Sequence, residues 1–383
     1  MAAMGMMGAV GVGSAVGVRE RGARAGGCSG RGLRTAGVRG LRQRGARGYG
    51  RGTLCLPSAA LDGASASSSA ASSSNSAENT YVGDVLVEGL EVRGEVDGVW
   101  EVDFCSRPVK DEKGKKVWEL IVTDNTRNLR YAEFFPSNRI NSVYLKGALT
   151  SLFDQAGVGK PAGIRFFRGQ MQTIIGRACQ ELGVKPLPSR RCVALMDWIA
   201  SREADVYPAM EGYMGPQAAG FKLDPLLPSE LPDHVRGESW AFVQLPYAQV
   251  REEAEGVLRG DTAGAAFPEA SLRVAPADDA LVPGVCVWSR RSGAVAAWTS
   301  NLELGFLRAD DDRSLVVLET GINERWRYAT WPRNAVATDQ EAREWEAAKK
   351  AAGGLHFVAV QESAESDSID GFFLMCECAT PNV

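Results

Sequence analysis

The spacing of apolar residues changes period along this chain, and each change predicts an element. Trp100-Glu-Val-Asp-Phe-Cys105 alternates with period two, Lys110–Lys115 is a polar turn, and Val117–Thr123 returns, so this stretch predicts a hairpin. Leu129–Phe135 predicts a third strand, stopped by Pro136. Leu145, Ala148, Leu149, Leu152, Phe153 and Ala156 then fall at i, i+3, i+4, i+7, i+8 and i+11, the stripe of an amphipathic helix that Gly157 ends. Gly163–Arg168 predicts a fourth strand. In the helix after it Met171, Ile174, Ile175, Ala178, Cys179 and Leu182 point inward, leaving Gln170, Thr173 and Arg177 outside. A third helix is predicted from an N-cap at Ser189, with Cys192, Leu195, Met196 and Ile199 inward. Tyr81–Gly98, ahead of all this, reads as an acidic lead-in.

Pro and Gly thicken between Gly212 and Gly237, which predicts a connection between two domains. Beyond it, Trp240–Pro246 predicts a strand and Tyr247–Leu258 a helix. Val285–Arg290, Val295–Phe306 and Ser314–Gly321 predict strands, with Tyr328 near the turn that follows. Thr338-Asp-Gln-Glu341 has the form of a capping box for a helix running to Gly353, and Gly354–Gln361 predicts a last strand. The second half therefore echoes the first. The expected fold class is α/β (α+β): two related halves, each ordered strand-strand-strand-helix-strand, plus extra helices. Ribonuclease-H-like domains share that order.

Composition adds a leader. Residues 1–53 hold ten Arg, no Lys and one acid, Glu20, and a Ser/Ala run follows from Ser58 to Ser76. That is the make-up of an organelle transit peptide. The expected organisation is a transit peptide and Ser-rich linker at 1–77, a basic N-terminal domain at 78–211, the connection at 212–237 and an acidic C-terminal domain at 238–383. No segment is apolar enough to predict membrane insertion. Gly11-Val-Gly-Ser-Ala-Val-Gly17 mimics a dinucleotide fingerprint, but no strand is predicted before it and it is set aside.

Charge is localised. The whole chain carries −4, yet residues 127–192 hold eleven Lys/Arg against three acids. A basic zone on an acidic body fits a local anion site; a solvated basic helix face is the plainer alternative. The zone contains Ile164-Arg-Phe-Phe-Arg168 and Lys185-Pro-Leu-Pro-Ser-Arg-Arg191, in which guanidinium groups sit beside aromatic rings. Arginine contacts phosphate and rings stack on unpaired bases, the chemistry of single-stranded RNA binding. The RNA-binding candidates are Arg165, Phe167, Arg168, Gln170, Arg177, Lys185, Arg190 and Arg191. Alternation assigns Phe166 to the core and Phe167, beside Arg165, to the surface. For Arg165 a structural ion pair is the competing reading. For Ser189-Arg190-Arg191 a phosphate at the free helix N–H groups competes with two solvated arginines. Trp240 and Phe242 share a strand face and are expected in the core, as are Trp118 and Trp298.

No cofactor, metal site or catalytic residue is expected. Histidines are limited to His234 and His356, and Cys105, Cys179, Cys192, Cys286, Cys376 and Cys378 form no CxxC pair. Cys376-Glu-Cys378 is too small a ligand set to predict a metal site. Two rivals to RNA binding stand. One is metal-dependent nuclease chemistry on Asp103 and Asp124. The other is a scaffold whose acidic C-terminal half docks protein partners.

Further motifs run the length of the chain: Trp118-Glu-Leu, Phe134-Phe-Pro with Ile140-Asn-Ser142, Gln170-Met-Gln-Thr-Ile-Ile175 and Pro188-Ser-Arg-Arg-Cys192. Trp240-Ala-Phe-Val-Gln-Leu-Pro-Tyr247 with Val250-Arg-Glu-Glu253, Ala296-Ala-Trp298, and Trp345-Glu with Gly353-Gly-Leu-His-Phe357 continue the series. Together with Ile164–Arg168 they resemble the RNA-binding translation activators of chloroplasts and cyanobacteria required for photosystem I. The resemblance covers Trp100 to about Leu374. It implies a nuclear-encoded stromal protein that binds the single-stranded 5′ untranslated region of a photosystem I reaction-centre message. It also implies activation of translation with partners from the translation machinery. The family tends to end in Trp-Leu-Leu and a proline-rich tail, where this chain has Phe373-Leu-Met375 and Cys376–Val383.

Overall fold

In the computed structural model, residues 79–155, 158–216, 227–366 and 368–378 are described, with the backbone of a short strand, β1 (Val12–Ser14). Apart from that strand, the expected leader and linker at 1–77 lie outside the described residues. The first hairpin forms as expected, from β4 (Val99–Lys110) and β5 (Lys116–Asp124). Asp111 closes its turn by accepting the Lys113 and Lys115 N–H groups at 3.0 and 2.8 Å. β6 (Leu129–Phe135) pairs antiparallel with β5, and β7 (Gly163–Phe166) runs parallel to β4. The acidic lead-in is not a loop: it forms β2 (Thr80–Val82) and β3 (Val85–Val92). Lys185–Pro188 is β8, an edge strand, the place where proline is tolerated. The sheet order is β2-β3-β6-β5-β4-β7-β8.

Alternation in β4 and β5 decides what covers each face. Val102, Phe104, Leu120 and Val122 share an apolar cluster with Leu145, Leu149 and Leu152 of α1 (Ser142–Phe153) and Ile175 and Ala178 of α2 (Gln172–Leu182). The intervening positions, Glu101, Asp103, Glu119 and Ile121, point the other way. That face is covered by α3 (Val193–Ser201), which continues into a π-helical turn at Arg202–Val206. Both faces of this sheet are therefore buried.

The connection expected at 212–237 begins on this half, where Gly212 accepts from Lys110 N at 2.9 Å. It ends on the other, where β9 (Ser229–Glu230) joins β15 (Glu324–Thr330). There β10 (Ser239–Pro246), β12 (Leu281–Trp288), β16 (Leu355–Gln361), β17 (Gly371–Cys376) and β11 (Ala263–Ala265) build a second sheet, with β1 along the β10 edge. β13 (Leu304–Asp310), β14 (Leu315–Thr320) and β15 form an antiparallel meander in a third sheet. α4 (Tyr247–Arg259) follows β10. Trp240 and Phe242 stack edge to face in the core at 5.2 Å, as expected.

Two expectations for this half are corrected. Val295–Phe306 is not one strand: Ser292–Ser300 is α5, burying Val295, Ala296 and Thr299, and only the end of the stretch enters β13. Alanine-rich sequence with burial at i, i+1 and i+4 favours helix over strand. Thr338 does not cap α6 (Val336–Ala351), which starts two residues earlier behind Ala335. Instead Asp339, in its first turn, accepts from the Trp331 indole at 2.7 Å. Three strands, a helix and a strand do occur as β13–β14–β15–α6–β16, but these are not the strands expected: Val285–Trp288 belongs to β12 in the other sheet, and Tyr328, expected near a turn, lies within β15. Here, however, β16 pairs with β12 in a different sheet from the meander, whereas β7 joins the sheet of β4–β6. His356 ties the two sheets together: Leu307 N donates to its Nε2 at 2.9 Å, and its other ring nitrogen meets Gly354 O at 2.7 Å.

Candidate nucleic-acid interface

The eight residues expected to contact RNA divide sharply. Phe166 is in the α1–α2 core as expected, but Phe167 is not on the surface; it is 8 % exposed, packed with Ile121, Cys192, Leu195 and Trp198. Alternation does turn Phe167 to the opposite face, and that face is roofed by α3 instead of open to solvent. Arg168 lies over the Phe167 ring at 4.7 Å and grips Asp103 at 2.7 and 3.2 Å. Arg165 takes the ion-pair role, reaching Glu303 at 3.3 Å.

Ser189 is not the N-cap of α3, so Arg190 and Arg191 precede the helix and do not stand in its first turn. Ser189 is buried, its N–H donates to Phe166 O at 2.9 Å, and its hydroxyl accepts the Arg191 N–H at 3.0 Å. α3 begins only at Val193, and the acceptor for its Leu195 N–H is the protein's own Glu101 carboxylate at 2.8 Å. Arg190 donates to Ile322 O at 3.0 Å and lies 3.7 Å from Glu319. Arg191 donates to Ala266 O and packs 5.8 Å from the Phe267 ring centre; burial draws its guanidinium down to about 10. Arg127 completes a set of arginines joining the halves, bonding Asp197 and Ser271 O, each at 2.7 Å. These arginines act as a seam.

Asp103 is likewise committed. Arg107 bonds it at 3.0 Å and Glu119 at 2.6 Å, and Glu119 is also held by Arg202 and by the Tyr207 hydroxyl at 2.7 Å. Burial alone would raise Asp103, but Arg107 and Arg168 outweigh it and hold the carboxyl below its ordinary range. Asp124, the other carboxylate weighed for metal chemistry, is spent on Asp97 N and Leu129 N at 3.0 and 2.9 Å. At Asp103 guanidinium groups stand where a cation would have to bind.

Gln170, Arg177 and Lys185 remain exposed. They are joined by Lys146 of α1, by Lys160 between α1 and β7, and by Arg139 ahead of α1, none of which was among the expected contacts. Lys146 and Arg177 share Glu181 at 3.3 and 3.1 Å, bridging α1 to α2, and Arg177 is 70 % exposed. The two hydrogen bonds hold the Glu181 carboxyl below its ordinary value. Lys160 extends its ammonium toward Gly183, next to the start of β8. At the other end of α1, Arg139 lies over the exposed Tyr144 ring at 5.5 Å. Asn141 caps that helix, and no acid stands in its first turn. On and beside α1 and α2 there are thus five exposed or half-exposed cations and an accessible ring. This is the pairing of charge and stacking surface that a single strand requires.

The N-terminal domain described as RNA-binding protein Tab2/Atab2 matches residues 99–202, and the C-terminal domain of the same description matches 218–376. The chain belongs to the Tab2 family. A maize (Zea mays) protein named TAB2 homolog, chloroplastic, is 47 % identical over 284 residues, covering 74 % of this chain and 73 % of that one. The Arabidopsis thaliana protein of the same name is 42 % identical over 296 residues, covering 77 % and 79 %. A chain of a solved simian T-cell lymphotropic virus intasome complex overlaps 25 % of this chain and 33 % of its own, at 16 % identity and a TM-score of 0.18, too low to bear on the fold. The Tab2 matches make this an RNA-binding protein of chloroplast type. The seam arginines and the exposed α1–α2 cations all fall inside the N-terminal matched domain.

Proposed function

We propose that this chain binds the single-stranded 5′ untranslated region of a photosystem I reaction-centre message in the chloroplast stroma and activates its translation. The role is non-enzymatic, with partners drawn from the translation machinery. The observation that carries this reading is the set of exposed cations on and beside α1 and α2, with Lys146 and Arg177 on Glu181, Lys160 and Lys185 near the start of β8, and Arg139 over the exposed Tyr144 ring, on an otherwise acidic chain. Spaced ammonium and guanidinium groups follow a phosphate backbone, and the ring stacks one base. The arginines of the seam instead join the two halves.

The test is equilibrium binding of residues 78–383 to a labelled leader RNA and to a shuffled control, at several salt concentrations. Tight binding that prefers the true leader is expected. A Lys146→Ala/Arg177→Ala/Lys185→Ala variant should bind at least ~10-fold more weakly, with the slope of log affinity on log salt reduced by about 2. Equal, weak binding of both RNAs would move specificity to a protein partner.

A further inference from the structure

Six cysteines lie among the described residues, all free thiols. Cys376 and Cys378 differ from the other four in standing side by side. β17 ends at Cys376, and the chain continues so that the residue two further on shares its face. The two sulfurs are 3.8 Å apart, with Cys378 donating to Cys376, and Cys376 in turn reaches Gly353 O at 3.7 Å. The pair lines a cavity of about 370 Å³ between the halves, walled by Val193, Met196, Leu272 and Leu355. Cys378 also packs against apolar clusters of both halves.

The hydrogen bond from Cys378 draws the Cys376 thiol below its ordinary value despite burial, and it holds Cys378 well above its own. Cys179, Cys192 and Cys286 are all pushed up by burial. A thiol drawn below its ordinary value, lining a cavity, with a second thiol 3.8 Å away, has the arrangement of a reversible dithiol.

We propose that Cys376 and Cys378 form a peroxide-sensitive dithiol that closes to an intramolecular disulfide. The Cys376 thiolate attacks one oxygen of hydrogen peroxide. The O–O bond breaks, hydroxide departs and takes up a proton as water, and Cys376 becomes a sulfenic acid. The Cys378 sulfur then attacks the sulfenic sulfur, its proton leaves with the displaced hydroxyl as a second water, and the S–S bond forms. The two thiols lose two electrons, which reduce one peroxide to two waters. Closure brings the sulfurs from 3.8 Å to about 2 Å, within the reach of side-chain rotation.

The experiment treats the native full-length chain with hydrogen peroxide, blocks residual thiols after denaturation and digests with trypsin. No Lys or Arg follows Lys350, so residues 351–383 leave as one peptide carrying Cys376, Cys378 and no other cysteine. That peptide should lose both alkylation sites, become two hydrogens lighter, and regain both sites after treatment with a dithiol reductant. In a Cys378→Ser variant, Cys376 should instead stay as a sulfenic acid that dimedone traps. Two alkylatable thiols after peroxide would overturn the proposal. So would a disulfide joining this peptide to another, or oxidation only in protein already shown unfolded by circular dichroism.

Discussion

Glu101 occupies the place at the α3 N-terminus expected for a phosphate, and its environment makes it measurable. Burial raises its carboxyl from 4.5 to about 7, even though the Leu195 N–H and the charges of Arg165 and Arg191 favour ionisation. A carboxyl whose folded value lies above its unfolded one binds its proton more tightly when folded. Its contribution to stability is therefore full at low pH and is lost as pH rises from about 4.5 to about 7. Glu101→Gln keeps an acceptor for Leu195 N and removes the titration. The stability of the variant relative to the parent should rise by about 1.4 kcal/mol per pH unit across that window and level off above it. Urea unfolding of both proteins at several pH values measures this, and a difference flat with pH would refute the shift. Nothing local in the sequence announced the role: Glu101 and Leu195 are far apart along the chain, and period arguments read neighbours only. The arginines posed a similar difficulty. Alternation correctly separated Phe166 from Phe167, but it could not tell that a second layer would cover the other face. Composition gives a buried arginine paired with Asp103 or Glu303 the same weight as a solvated one.

At the scale of elements, legibility followed the strength of the period. α1 and α2 were readable because each holds a clean stripe against a single neighbouring layer, and β6 because Pro136 marks its end. β8 was obscured by its two prolines, which an edge strand accepts, and α5 by residues too small to mark a face. β17 was taken only as a divergent tail, although Gly371–Cys376 is buried throughout and pairs with β16. The turn between α6 and β16 explains how β17 is held in register. Glu377 N donates to Gly354 O at 2.9 Å, and Gly354 has a φ of +87°. A Cβ at Gly354 would run into the Glu377 carbonyl, while one at Gly353, with a φ of +67°, meets no neighbouring atom. Gly353→Ala therefore costs only the left-handed backbone, about 1–2 kcal/mol. Gly354→Ala adds a clash with backbone and should cost more than ~3 kcal/mol, or force the end of β17 to detach. Denaturant midpoints of the two variants separate the effects, and equal losses would mean that the strand end yields freely.

For the whole molecule, cationic residues do two jobs in two places, and the jobs can be separated experimentally. The seam uses Arg127, Arg165, Arg190 and Arg191, each with a partner across the halves. The α1–α2 face uses residues whose ions meet water, so their interactions are screened by salt and contribute little to folding. Arg190 and Arg191 together should matter for cohesion. Replacing both with alanine removes the side-chain bonds to Ile322 O and Ala266 O and one cation facing the buried Glu319, which keeps Arg325 at 2.8 Å. Lost hydrogen bonds of this kind cost roughly 1–3 kcal/mol each when the partner stays buried, so the double variant should unfold at clearly lower denaturant. It should also lose cooperativity if the halves then open independently. Because neither arginine lies on the α1–α2 face, the salt slope of RNA binding should match that of the parent protein. The Lys146→Ala/Arg177→Ala/Lys185→Ala variant should show the converse: a near-parental unfolding curve and a shallower salt slope. Measuring both curves on both variants decides between one basic surface and two. A shallower slope in the Arg190→Ala/Arg191→Ala protein, with its unfolding midpoint unchanged, would return the phosphate contacts to the Pro188–Cys192 segment and remove the division of labour argued here.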